Sequence, residues 1–502
     1  MRESKVIRNA GMAVAQVLVT GIFLFALFYF LLRTIGPTQL GIWSIVLSTT
    51  SAARLSELGL SGGVVKFVVQ YIARSDEGNA AAVVETAALS IAGLIGIVLV
   101  PAYPFLRWLL GHILPVTSLS DALTLLPFTL VSLWLTGVGN VFLSGLDGAR
   151  RIDLRSLVAM GGIGIHFVLV VMLVPSYGLR GLAYAQVIQA LVMLPVGWLW
   201  LRRLLVPLPT LPYRWNRGLF REMFRYSLNF QFASLVQMMV DPLTKALLSK
   251  FGGLDSVSYY EMANRLVMQF RAVLVSANQV IVPVIADMYE STPARIPSVY
   301  RDSYRLLLFL ALPLYAGVGA MIPVISELWI GHYESSFVIF GWLLTGGWFI
   351  NTLIGPAFFS NLGTGRLRWN TLSQVAIGLL NGAMGVILGS KFGGNGVVTG
   401  FVIALIIGSS LVVSAYHAEN RIALSELLPR EYWALAVSSI LAASLGWAIY
   451  YNFRNYGGIA FVSVICLAVF IGIVFPPFWR HPMRSKLTGW MIDRRRKVGT
   501  LM

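Results

Sequence analysis

Residues 31–44 read LLRTIGPTQLGIWS and residues 247–260 read LLSKFGGLDSVSYY, two junctions between apolar stretches that align at an offset of 216. At the same offset SGLDGAR (144–150) meets SNLGTGR (360–366), and at 215 YGLRG (177–181) meets FGGNG (392–396). Three registrations at nearly one offset mark an internal duplication. Around them, apolar runs recur from end to end, each about 20 residues long and able to cross a hydrocarbon core of about 30 Å as a helix. There are fourteen such candidate spans, the first at about 11–32, the second at 40–69, the seventh at 226–248, the eighth at 257–286 and the last at 459–475.

Composition agrees. Of 502 residues 57% are hydrophobic and 12% charged, with a mean hydropathy of +0.76, against about 25% charged residues in soluble chains. The first run has a basic start but no small-residue cleavage site, so it reads as a retained span. The lone cysteine, Cys466, excludes an internal disulfide and a thiolate metal site.

The net charge of +17 is read through its distribution. With the N-terminus inside, cytoplasmic segments hold 28 of the 38 Lys and Arg and outer loops hold 7, leaving Arg54, Arg265 and Arg271 within spans. Short loops biased in this way place both termini in the cytoplasm. The basic, aromatic stretches at 205–225 and 479–502 suit interfacial segments that anchor this topology.

The offset contains six spans, an even number, so both copies enter the membrane in the same direction. The expected fold is all-α and polytopic: a lobe of six helices at 1–204, a basic linker at 205–225, a parallel second lobe at 226–420, two further helices at 421–478 and a basic tail at 479–502. Paired parallel repeats around a central cavity are a transporter plan.

Charges inside spans are costly and mark candidate function. On the eighth span Glu261, Asn264, Arg265, Gln269, Arg271, Ser276, Asn278 and Gln279 fall within about half the helix circumference. One wet face of that kind would line an aqueous cavity. On the second span Arg54 and Glu57 are spaced i to i+3 and read either as a self-neutralising pair or as a cavity cation with its neighbour; Glu261 and Arg265 pose the same choice. Gln16 and Thr20, Asn140, His166 and Asn381 are polar intrusions of the kind that join helices by hydrogen bonds. His166 has no neighbour for a metal site, and no phosphate loop GxxxxGK[ST] is present. The expected outer loop at 102–122 carries one acid, Asp121, too few for a membrane glycosyltransferase. A non-transporting membrane scaffold, the other class, would have no alternating states.

Residues 32–73, LRTIGPTQLGIWSIVLSTTSAARLSELGLSGGVVKFVVQYIA, followed by FGGLDSVSYYEMANRLVMQF (251–270) and IVPVIADM (281–288), resemble the polysaccharide transporters of the multidrug/oligosaccharidyl-lipid/polysaccharide (MOP) exporter superfamily. That family includes O-antigen flippases and, more distantly, the lipid II flippase. The resemblance implies a flippase, not an enzyme, moving a polyprenyl-pyrophosphate-linked oligosaccharide to the outer leaflet of the bacterial inner membrane by alternating access. The candidate cavity residues, read from the polar faces of the spans, are Arg54, Arg265, Arg271, Asn264, Glu57, Glu261, Gln16 and Gln269. In the lipid II branch cavity arginines come from the first, second and eighth spans; Arg54 and Arg265 match the latter two, while the first span offers only Gln16, which favours an O-antigen, capsule or exopolysaccharide unit. No cofactor or nucleic acid is expected; candidate partners are the lipid-linked substrate, membrane lipids, a coupling ion (proton or sodium) and the polysaccharide polymerase machinery. The alternative is a cation-coupled multidrug exporter of the same superfamily, against which cavity arginines argue, since they repel organic cations.

Overall fold

The structure, a computed structural model, describes residues 2–51, 60–279, 281–427, 429–454 and 458–485. Within them it is helical, without a strand. In chain order the helices are α1 Arg2–Ser51, α2 Leu60–Ala73, α3 Glu77–Ile113, α4 Val116–Gly148, α5 Ile152–Tyr177, α6 Leu179–Leu204, α7 Arg217–Asn278, α8 Ile281–Ser291, α9 Ile296–Ile330, α10 Ser335–Leu353, α11 Gly355–Thr364, α12 Arg368–Asn420, α13 Trp433–Phe453 and α14 Ile459–Arg480. Ten helical stretches among the described residues are long and apolar enough to cross a membrane. Helices suit this solvent because each satisfies its own backbone where no water can.

Three of these helices bend back into two legs, at Gly36 in α1, Gly253 in α7 and Gly393 in α12. Counted by legs, the seventeen helical segments among the described residues cover the fourteen expected spans in order. The second leg of α1 shares the second span with α2, that of α7 shares the eighth with α8, and α10 and α11 share the tenth. The expected outer loop at 102–122 is corrected: α3 continues through Pro101 and Pro104 to Ile113, and α4 starts at Val116. A membrane helix absorbs prolines where neighbours re-satisfy the freed carbonyls, so the prolines there do not stop it.

The duplication is written in the backbone. Gly36 and Gly253 share φ 79° and ψ 171°, a conformation essentially confined to glycine. Gly178 (φ 55°, ψ −133°) is matched by Gly393 (φ 60°, ψ −142°), and Arg150 (φ 58°) by Gly365 (φ 73°). The last two pairs are 215 apart; the first is 217 apart, one residue longer than the alignment of residues 31–44 with 247–260 gives.

By packing, the chain divides into two compact units, residues 1–261 with 389–397, and residues 262–388 with 398–502. The first is centred on α2, α3, α4 and α6, where Phe67, Val84, Ile91, Phe142 and Trp198 form the core. Small residues let its helices approach: a side chain at Gly148 would strike Val68, and one at Gly145 would strike Leu201. The second has a core of Tyr304 and Phe309 from α9, Tyr432 from the turn just before α13, and Phe470 from α14.

Residues 205–216 are not helical. This strap is tied to α3 by the buried carboxylate of Glu85, whose Oε2 accepts the N–H groups of Tyr213 (3.2 Å) and Arg214 (3.1 Å), and by Trp215, whose indole N–H donates to Ser90 Oγ at 3.0 Å.

Candidate functional site

The second leg of α7 carries most of the expected site, and its residues separate into two settings. In the second unit, the half-buried Arg271 donates from Nη2 to Asn351 Oδ1 at 2.8 Å, and its guanidinium lies 4.7 Å from the centroid of the Trp348 ring. The Trp348 indole N–H donates to Asn264 Oδ1 at 3.0 Å. Asn264 and Arg271, two turns apart on one helix face, therefore bracket one indole, at its polar edge and over its π-face.

That indole is held in turn. Thr352 donates to the Trp348 carbonyl at 2.7 Å and shares a 2.6 Å hydrogen bond with the Tyr315 hydroxyl of α9. Asn351 donates from Nδ2 to Ser409 Oγ of α12 at 2.9 Å, which leaves its carbonyl oxygen for the arginine. Four elements thus fix one cation. Among the described residues no carboxylate lies within ion-pair distance of Arg271, and its buried Nε has no hydrogen-bond partner. A cation–π contact contributes about 0.5–2 kcal/mol, well short of compensating a desolvated guanidinium. The arrangement is a preorganised cation with a donor still to be used, suited to an anion with several acceptor oxygens.

The other setting lies in the first unit and was not foreseen. Lys245 Nζ contacts Asp241 Oδ2 at 2.7 Å and Glu261 Oε2 at 2.6 Å. Lys245 and Glu261 are almost fully buried, whereas the Asp241 side chain is 43% exposed. The triad joins the two legs of α7 across the Gly253 bend, so Glu261 has a lysine partner seated before the turn. The count of outer-loop cations is corrected accordingly: Lys245 belongs to the buried interior of α7.

The remaining expected residues are dispersed. Arg265 and Gln269 are half-buried on the same leg of α7, and Gln16 is half-buried on the first leg of α1. Arg54 and Glu57 lie outside the described residues. His166 lines a cavity of about 80 Å³ with Phe23, Phe167 and Gln189, without a cluster of metal ligands among the described residues.

The fold is that of the MOP-superfamily transporters. A multidrug resistance MATE family transporter of that superfamily, in an inward-facing conformation, superposes with a TM-score of 0.72 at 16% identity, covering 81% of this chain and 95% of its own. The lipid II flippase MurJ in an inward closed conformation gives 0.73 at 14% identity over 96% of this chain and 100% of its own. A MOP transporter from Pyrococcus furiosus, described as having a binding pocket of reverse polarity that suggests a different function, gives 0.53 at 15% identity over 85% and 95%. Comparison with curated protein sequences gave no match. The sequence itself matches the family described as Polysaccharide biosynthesis protein over residues 30–333, and the chain belongs to that family.

Proposed function

We propose that the chain is a flippase that carries a polyprenyl-pyrophosphate-linked oligosaccharide from the inner to the outer leaflet of the cytoplasmic membrane, for cell-surface polysaccharide biosynthesis. The observation that carries this reading is Arg271, held by an amide and an indole, without a carboxylate among the described residues and with Nε unused. A pyrophosphate brings the missing acceptors, and a guanidinium can engage two of its oxygens at once. Asn264, Arg265 and Gln269 share that leg of α7 and would meet phosphate or sugar hydroxyls; Gln16, Arg54 and Glu57 are the expected contributors from the first and second spans, and Glu261 from the start of the same leg of α7. Lobes at 1–204 and 226–420 would open alternately, with both termini in the cytoplasm.

One observation favours the cation-coupled reading. Asp241 and Glu261 both contact Lys245, and the Asp241 side chain is 43% exposed, so an accessible carboxylate stands on α7 for a coupling cation. Coupling ion and exported organic cation differ in what they predict for the lipid pool.

The test is depletion of the protein in its host with polyprenyl-pyrophosphate glycans quantified by mass spectrometry, followed by complementation. Accumulation of one complete lipid-linked oligosaccharide is expected. Arg271→Ala should fail to clear it, with export lowered at least about tenfold, equivalent to about 1.4 kcal/mol, while the protein remains inserted. An unchanged pool after depletion overturns the flippase reading in favour of the drug exporter.

A further inference from the structure

Immediately beyond Arg271 along α7 the second unit contains an open groove of about 250 Å³, walled by Leu274, Asn278 and Ile281 on one side and by Val299, Ser303 and Leu307 of α9 on the other. Its lining is apolar apart from Asn278 and Ser303. A dry apolar cavity of about 150 Å³ accommodates a benzene ring, so this one has room for about ten carbons, or two isoprene units.

Two features make it more than a crevice filled by bulk lipid. Asn278 is 9% exposed, and among the described residues its amide makes no hydrogen bond. It lines the groove, and its Nδ2 packs against Gly355, where a Cβ would collide with it. An amide that opens onto an apolar groove finds no acceptor in hydrocarbon and is satisfied only where a ligand or water supplies one. The second feature is register. Arg271, Leu274 and Asn278 are spaced i, i+3 and i+7, so the face that lines the groove is the face that carries the cation, about 10 Å away along the axis.

We infer that this groove holds the first isoprene units of a polyprenyl pyrophosphate, with Asn278 donating to the ester oxygen that joins chain to phosphate and Arg271 holding the pyrophosphate. This deepens the flippase reading and rests on it for the class of substrate. Because the bilayer is as apolar as the groove, the chain gains packing and registration there, and the headgroup supplies the selectivity. Labelling of the groove should therefore depend on the headgroup.

The test places p-benzoylphenylalanine at position 303, and as a control at position 379 of α12, where Leu379 is 71% exposed. Protein reconstituted in phosphatidylcholine vesicles is irradiated with a clickable polyprenyl pyrophosphate. Labelling at 303 should exceed that at 379 at least about tenfold, an affinity difference equivalent to about 1.4 kcal/mol. It should fall by a similar factor in Arg271→Gln, and should be competed by unlabelled polyprenyl pyrophosphate but not by phosphatidylglycerol. Equal labelling at both positions, indifference to Arg271→Gln, or equal competition by phosphatidylglycerol would overturn the inference. The outcomes are separable from the function itself: an accumulating lipid-linked pool with unlabelled position 303 leaves a flippase without this tail site, and Arg271-dependent labelling with an unchanged pool leaves a lipid site without the flippase.

Discussion

The two hairpins bent at Gly36 and Gly253 have the same backbone turn and opposite locks. Positions related by 217 residues pair Phe28 with Lys245, Trp43 with Tyr260, and Ser44 with Glu261. In the first hairpin Phe28 and Trp43 are buried with ring centroids 6.2 Å apart, and at these places apolar packing joins the legs. In the second, Lys245 takes the place of Phe28 and meets Glu261, at the place of Ser44, at 2.6 Å, with Asp241 as third member. Shape sufficed once, so the turn itself does not require charge. Desolvating ions is expensive, and apolar groups of similar volume serve stability as well or better. The triad is therefore better explained by selectivity of packing or by the ion traffic of transport than by a need for strength.

Breaking the second lock should have the largest effect. Lys245→Met removes the buried cation that Asp241 and Glu261 share and should destabilise the protein by about 3–5 kcal/mol, seen as a lower thermal unfolding temperature in detergent. Copying the first hairpin into the second, as Lys245→Phe with Glu261→Ser, should recover most of that loss. A double variant no more stable than the single one would show that the two hairpins are not interchangeable. If the recovered variant folds yet no longer exports, the triad serves transport.

The turns should respond alike. Gly36→Ala and Gly253→Ala meet no neighbouring atom within 4 Å, so each should cost only backbone strain, about 1–3 kcal/mol, and the two melting shifts should agree. A clear inequality would mean that one turn is relaxed by its surroundings. Smallest is Thr38→Val, which removes a 2.6 Å hydrogen bond to Asp255 at an exposed site; about 1 kcal/mol or less is expected.

Hydropathy and the repeat carried the fold, because lipid imposes length and apolarity on every span and duplication imposes order. The register slipped by one residue since Gly252 and Gly253 are adjacent and only the backbone angle tells them apart. Lys245, three residues before the expected end of its span at 248, counts with the outer-loop cations in the charge tally, whereas α7 runs on to the bend. Glu85 answers to amides 128 and 129 residues away, a partnership that no local pattern contains. Arg271 was legible as an intramembrane cation, but Trp348 and Asn351 were not, since an indole and an amide within an apolar run look like ordinary packing until the facing helix is in place.

Thr38 and Asp255 stand at equivalent positions of the two copies, 217 residues apart, and they bond to each other. In a symmetric dimer of identical chains a residue on the axis faces its own twin, so two aspartates would repel and two threonines would compete for the same roles. Fusion into one polypeptide released that constraint, allowing one descendant to become donor and the other acceptor. The contact is a record of broken symmetry: a grip between twins that only unlike twins can make.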